Sequence, residues 1–289
     1  MTPHDFDYLR RLLKERSGLA LSAEKDYLLE SRLLPLARRQ GMTSLAELVM
    51  RLRQPGSTAL AIAVTEAMTT NETFFFRDRI PYDHLRDTII PALAAARSRE
   101  KRIRIWCTAA ASGQEPYSIA MMLKAFGSQL HGFRIDILAT DLSAEVIDRA
   151  KAGVYSQFEV QRGLPINLLV KYFSKSGDHW EIAPELRGMV QFRTLNLLND
   201  FTPLGQFDIV FCRNVLIYFD QVTKAGVLDR VARQMPGDGY LTLGAAETVV
   251  GLTDCFMPVP DRRGLYMPTA AARRAPPSAG NVLRFAAKA

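Results

Sequence analysis

The chain has 289 residues, 48% apolar and 23% charged, enough for one sizeable core with a smaller unit beside it. No apolar run approaches the ~20 residues of a membrane span, and MTPHDFDYLRRLLKERSG lacks the apolar stretch of a secretory signal, so neither membrane insertion nor export is expected. Of the formal charge of +7, Arg273, Arg274, Arg284 and Lys288 beyond Pro268 supply +4 with no acid among them; the +3 left on the body argues against a dedicated nucleic-acid binder.

Residues 4–68 read as helices throughout. Phe6, Leu9, Leu12 and Leu13 recur at helical spacing, as do Leu28, Leu29, Leu33, Leu34 and Leu36, then Leu45, Leu48, Val49 and Leu52. Gly18, Gly41 and Pro55–Gly56 break the pattern, predicting a domain of about four helices over residues 1–70. Arg32, Arg38, Arg39, Arg51 and Arg53, with only Glu47 against them, make its second half basic. That is either a solvated polar face or a docking surface for an acidic partner.

TTNETFFFRD (69–78) joins this domain to the rest, with Asn71, Thr73 and Arg77 interleaved with Phe74–Phe76. The aromatics suit a linker pinned to the neighbouring domain. Arg77 has no acid four residues on, so it needs another partner, and a bound carboxylate is one. From residue 83 strand and helix patterns alternate. Candidate strands are Arg102–Cys107, Arg134–Thr140, Val190–Thr194, Phe207–Cys212 and Gly239–Leu243, with a late pair around Met257–Pro268. Helical patterns between them predict a parallel sheet with crossover helices. Val154–Pro184, broken by Gly163, Pro165 and Gly177, reads as an insertion carrying short strands. The Ala/Pro-rich stretch after Pro268 reads as a disordered basic tail.

IRIWCTAAASGQEPYSIA (103–120) is a buried strand, a tight small-residue loop and the opening of a helix, where doubly wound α/β folds seat a cofactor. It has one glycine and no GxGxxG cradle, and Glu115 stands where a pyrophosphate would want N–H groups. A cationic cofactor without phosphates fits better, which points to S-adenosylmethionine. Asp141 in ILATDLS ends the second strand, where an acid accepts from a ribose diol or caps the next helix. Asn196 in TLNLL and Arg213–Asn214 in FDIVFCRNVLIYF stand at later strand ends; Asn196 could read an adenine edge and Asn214 could cap a helix. Cys107, Cys212 and Cys255 are an odd number at no metal-ligand spacing, read as small buried hydrophobes in a reducing cytoplasm, and no metal site is expected.

TTNETFFFRD, AAASGQEPYSIA, ATDLSAEVIDRAKAGVY and FDIVFCRNVLIYFD closely resemble, in order and spacing, the CheR-type methyltransferases of chemoreceptor glutamates. The resemblance runs from about residue 5 to 268. It implies an α/β fold: a Rossmann-like class I S-adenosylmethionine methyltransferase domain over residues 71–268, a small β-subdomain inserted at about 154–190, and an N-terminal all-helical domain. Residues 269–289 would be the tail. It carries over Asn71, Thr73, Arg77, Glu115, Asp141, Asn196, Leu197, Arg213 and Asn214 as contacts to S-adenosyl-L-methionine and its product S-adenosyl-L-homocysteine. Arg77 and Tyr218 match positions near the transferred methyl group. The partner implied is the cytoplasmic helical domain of chemoreceptors, with Arg32, Arg38, Arg39, Arg51 and Arg53 as the docking surface. Ser174–Val190 is short and lacks the glycine-rich run of enteric relatives, so use of a pentapeptide tether at the receptor C-terminus is not expected. The readings left beside this one are a same-fold methyltransferase acting on nucleic acid or a small molecule, and a non-catalytic cofactor-sensing regulator.

Overall fold

Thr2 opens the first helix with a capping box: its hydroxyl accepts from the Asp5 amide while the Asp5 carboxylate accepts from the Thr2 amide. That helix, α1 (Pro3–Ser17), packs with α2 (Asp26–Arg39), α3 (Leu45–Leu52) and α4 (Thr58–Met68) around Leu9, Leu13, Leu29, Leu33, Leu48 and Val64. The computed structural model describes residues 1–273. The linker follows, then α5 (Ile80–His84), one π-helical turn at Leu85–Ile89, and α6 (Ile90–Ala96).

The second domain is organised by a two-residue period. In β1 (Arg102–Cys107), Ile103, Ile105 and Cys107 enter the core on one face of the sheet and Trp106 the core on the other, where Phe201 and Phe207 pack against it. The chain continues through α7 (Gln114–Ala125), β2 (Arg134–Asp141) and α8 (Ala144–Ala152). The insertion holds β3 (Val154–Ser156), α9 (Gln157–Gln161), α10 (Ile166–Tyr172), β4 (Phe173–Ser176), β5 (His179–Ile182) and α11 (Pro184–Arg187). Then come β6 (Val190–Thr194), β7 (Ile209–Cys212), α12 (Gln221–Arg233), β8 (Tyr240–Leu243), β9 (Phe256–Pro258) and β10 (Leu265–Pro268).

The main sheet has the order β6-β2-β1-β7-β8-β10-β9, parallel through β8, with β10 and β9 antiparallel at one edge. Strand order reverses beside β1, which opens a crevice at its carboxyl end. The insertion forms a separate antiparallel sheet, β3-β5-β4. Phe75 of the linker fixes it in place, with ring centroids 5.1 Å from Tyr155 and 5.6 Å from Phe173.

Several boundaries differ from the pattern reading. The Phe207 strand starts only at Ile209, because the Phe207 amide donates to the Gln234 carbonyl and the Asp208 carboxylate takes the Arg104 amide and the Arg97 guanidinium. The helix read directly after Asn214 begins at Gln221, capped by Asp220; a short 3-10 turn, Leu216–Tyr218, intervenes. Of Phe74–Phe76, only Phe75 is fully buried. Residues 270–273, assigned above to the tail, form a 3-10 turn with Ala272 buried in the core. The rest of that tail, 274–289, lies outside the described residues.

Gly163 sits at φ +84 in the insertion, where an added Cβ would lie 2.1 Å from the Phe75 carbonyl oxygen. Gly163→Ala is expected to cost about 2 kcal/mol or more, since strain and backbone overlap act together. Urea unfolding checks this; an unchanged midpoint would contradict the close approach of insertion and linker.

Candidate functional site

The loop after β1 needs unusual backbone to reach its helix. Ala111 has φ +45 and Gly113 φ +95, and a Cβ on Gly113 would meet the Ala150, Tyr117 and Tyr155 side chains at 3.0–3.1 Å. Tyr155 of the insertion holds the loop from outside, its hydroxyl donating to the Ser112 carbonyl at 2.9 Å. This geometry delivers Glu115 in the first turn of α7, buried, to the crevice.

Glu115 Oε2 accepts from Arg213 Nη1 at 2.7 Å, and Arg213 Nη2 donates to Asp78 Oδ2 at 2.8 Å and to the Arg77 carbonyl at 2.9 Å. The Arg213 side chain is 1% exposed. Burial is the largest single influence and works against its charge, but its neighbours together, Glu115 foremost and Asp78 among them, outweigh burial and raise its pKa. Burial pushes the Glu115 carboxyl above its ordinary value despite the Arg213 guanidinium. Asp141 is also pushed up by burial, against the pull of backbone amides: Oδ2 accepts from Ala111 at 2.9 Å and Oδ1 from Ser143 at 3.1 Å. Capping of α8 falls to Ser143 rather than to Asp141.

Asn71, Thr73, Arg77, Glu115, Asp141, Asn196, Leu197, Arg213, Asn214 and Tyr218 all line one cleft. Residues scattered over almost 150 positions of sequence meet because the linker, β1, β2, β6 and β7 all end on the same side of the sheet. Within that cleft two side chains are partly committed to the protein, and the capping reading of Asn214 is corrected. Asn196 is partly occupied: Nδ2 donates to the Arg16 carbonyl and Oδ1 accepts from the Leu198 amide, which leaves one N–H and one lone pair for a ligand. Arg213 spends both terminal nitrogens on the protein and acts as a brace. Asn214 caps no helix and instead sits at φ +57. The partner sought for Arg77 is the Glu72 carbonyl, 2.8 Å from Nη1, with the Phe74 ring centroid 5.5 Å from the guanidinium carbon.

None of the five arginines of the basic segment lines the cleft itself, and they divide by exposure. Arg32 donates to the Met68 and Thr69 carbonyls and the Thr70 hydroxyl, closing the end of α4. Arg51 pairs with Glu47, and Arg53 with Asp5 while stacking over Tyr8. Arg32 is thereby half-buried against the end of α4, whereas Arg51 and Arg53 stay exposed in their surface pairs and Arg38 and Arg39 stand exposed at the end of α2.

Pattern reading missed the wall supplied by the helical domain. Ser17 ends α1 and Leu19 follows it, and Thr65 and Met68 belong to α4; all four line the cleft. Their periodicity marks only helix packing. It also missed Glu247, whose carboxylate accepts from five backbone amides around Asn214. A single acid after a strand carries no signal of that kind.

The donor set suits a particular ligand. Two buried carboxylates face a crevice with no glycine-rich N–H cradle, which fits an ammonium and a ribose diol and disfavours a pyrophosphate. The S-adenosylmethionine-binding domain of the CheR methyltransferases matches residues 71–265, and the all-α domain of the same family matches residues 4–69. The chain belongs to the CheR methyltransferase family. It is 42% identical over 259 residues to chemotaxis protein methyltransferase 1 of Pseudomonas aeruginosa, covering 88% of this chain and 94% of the relative. Chemotaxis protein methyltransferase 1 of Vibrio cholerae is 39% identical over 249 residues, covering 85% and 90%. The chemotaxis protein methyltransferase of Borreliella burgdorferi is 36% identical over 253 residues, covering 85% and 89%. This CheR methyltransferase thus uses S-adenosylmethionine as methyl donor and yields S-adenosylhomocysteine. No helix among the described residues is long and apolar enough to cross a membrane.

Removing Arg213 leaves Glu115 buried without its cation. Arg213→Met is expected to destabilise the fold by about 3–5 kcal/mol at neutral pH. Because the folded-state value of Glu115 lies above its unfolded one, its contribution favours the fold below the unfolded value and is lost as pH rises through the folded value. Without Arg213 that loss grows, so the penalty shrinks toward pH 4. Denaturant unfolding of both proteins across pH 4–8 checks the sign.

Proposed function

We propose that methylation of chemoreceptor glutamates, which membership of the family carries in general, proceeds here from a receptor docked on Arg38 and Arg39, without a C-terminal pentapeptide tether. The observation that carries the reading is one cleft in which Glu115 and Asp141 are buried together and Arg77 and Tyr218 stand in the lining. S-adenosylmethionine, when bound, supplies an electrophilic methyl group on a sulfonium.

The residues of this chain then have separate tasks. Asp141 keeps lone pairs for a ribose diol beyond the two amides it accepts. Glu115 directs a carboxylate at an ammonium, and Arg213 keeps it in place. Arg77, held through one nitrogen, has donors left to orient a carboxylate. Tyr218 lines the methyl-transfer side. A substrate carboxylate with an ordinary pKa of about 4.3 is already ionised at neutral pH, so no general base is needed. The nucleophile and the donor have opposite charges that neutralise on reaction, so the helical-domain wall helps by excluding water. Alignment in a closed cleft contributes further.

The exposure of Arg38 and Arg39 at the end of α2 supports docking on an acidic helix, and their effect should lie on encounter and register. Charge reversal at Arg38 and Arg39 is expected to lower receptor methylation at least fivefold while leaving the affinity for S-adenosylhomocysteine unchanged. Transfer of labelled methyl to receptor fragments, with calorimetry of the product, checks both. Unchanged methylation would remove the docking surface.

The tether reading is supported by the short β4–β5 hairpin, which closes through Gly177–Asp178 alone with no glycine-rich loop. Receptor fragments with and without their C-terminal ends are expected to be methylated at rates within twofold, with a base-labile product that releases methanol. A tenfold loss on truncation would overturn tether independence, and a base-stable product would overturn the glutamate ester.

A further inference from the structure

We propose that Glu247 is the positioning residue for the methyl-transfer wall, holding Asn214–Tyr218 in its working shape. After Arg213 the chain turns sharply: Asn214 lies at φ +57, and the 3-10 turn Leu216–Tyr218 begins two residues later. Such a start exposes consecutive amides with no carbonyl to receive them. One carboxylate receives them all. Glu247 Oε2 accepts from Asn214 at 2.8 Å and Gly244 at 2.8 Å, and Oε1 from Val215 at 3.0 Å, Leu216 at 2.8 Å and Ile217 at 3.3 Å. Four of these five donors are successive residues of the wall.

The other side of the contact is built to match. An added Cβ at Gly244, just after β8, would lie 2.7 Å from Glu247 Oε2 and 3.0 Å from the Asn214 amide nitrogen, so the chain after β8 passes close against the Glu247 carboxylate and the wall. Gly244 and Glu247 close one turn, the Glu247 amide donating to the Gly244 carbonyl at 3.0 Å. That turn folds the carboxylate back under the wall. Glu247 itself faces a neighbouring groove beside Ile80 and Pro81, whereas Asn214, Val215 and Tyr218 face the cofactor cleft. It therefore acts through the backbone it grips and not on the reactants. A charged acceptor strengthens each of these bonds, and a rigid wall holds the reacting atoms in line.

The proposal rests on the reading of Asn214 and Tyr218 as that wall, so their variants are measured beside it. In full-length protein, Glu247→Gln keeps shape and one acceptor oxygen but turns an NH2 toward the amide donors; Glu247→Ala removes the acceptor altogether. For both, kcat at saturating S-adenosylmethionine and receptor is expected to fall tenfold or more, with KM for the receptor within twofold of the parent. Circular dichroism gives the folded fraction against which kcat is scaled. If Glu247→Ala does not fold, Glu247→Gln carries the test. A folded Glu247→Gln with kcat within twofold of the parent overturns the proposal, as does a loss confined to the receptor KM. Impaired Tyr218→Ala and Asn214→Ala beside a silent Glu247→Gln sink the role of Glu247 alone. Silence in all three sinks the reading of the wall.

Discussion

One buried guanidinium joins the parts of this enzyme that chemistry requires to be together. Arg213, at the end of β7, holds Glu115 on α7 with one nitrogen and the Arg77–Asp78 backbone and side chain of the linker with the other. A charge so deeply excluded from water costs several kcal/mol unless its partners are in place. The pair, and with it the meeting of three walls of the cleft, is therefore close to all-or-none. Two carboxylates on one cation also leave an excess of negative charge near Asp141, an environment that favours a cationic ligand.

The helical domain completes the cleft rather than merely preceding it. The Ala20 amide donates to the Tyr218 carbonyl at 2.9 Å, Leu19 bridges Phe219, and the Glu66 carboxylate accepts the Ala144 amide at the start of α8. Arg16, through its carbonyl, engages Asn196. These contacts put α1 and α4 over the strand ends, where they exclude water, while the end of α2 with Arg38 and Arg39 stays exposed. One small domain thus offers a face to the cofactor cleft and another to solvent.

Much of this was legible in the residues. Trp106, flanked by Ile105 and Cys107, announces a strand buried on both faces, and β1 and β6 run over the residues their apolar patterns indicate. Acids and amides at successive strand ends identify the cleft because a parallel sheet must present those ends on one side. Side-chain partners were not legible. Nothing near Asn196 in sequence indicates that the Arg16 carbonyl will take its amide, and nothing near Arg32 indicates that it will close α4. A basic segment looks uniform along the chain, yet two of its five arginines, Arg32 and Arg53, have partners brought to them by packing, while Arg51 meets Glu47 one helical turn away.

By itself, then, the sequence determined the alternation of strands and helices, the absence of a phosphate cradle after β1, and the family, since periodicity and short motifs are local properties of a chain. Tertiary structure alone decided which polar groups are free to meet a ligand. Hydrogen bonds across 30 to 180 positions, as between Glu247 and the amides of Asn214 to Ile217 or between Asn196 and Arg16, are set by where the packed elements end. A buried donor takes the nearest acceptor in space, and distance in space is what a linear pattern does not record.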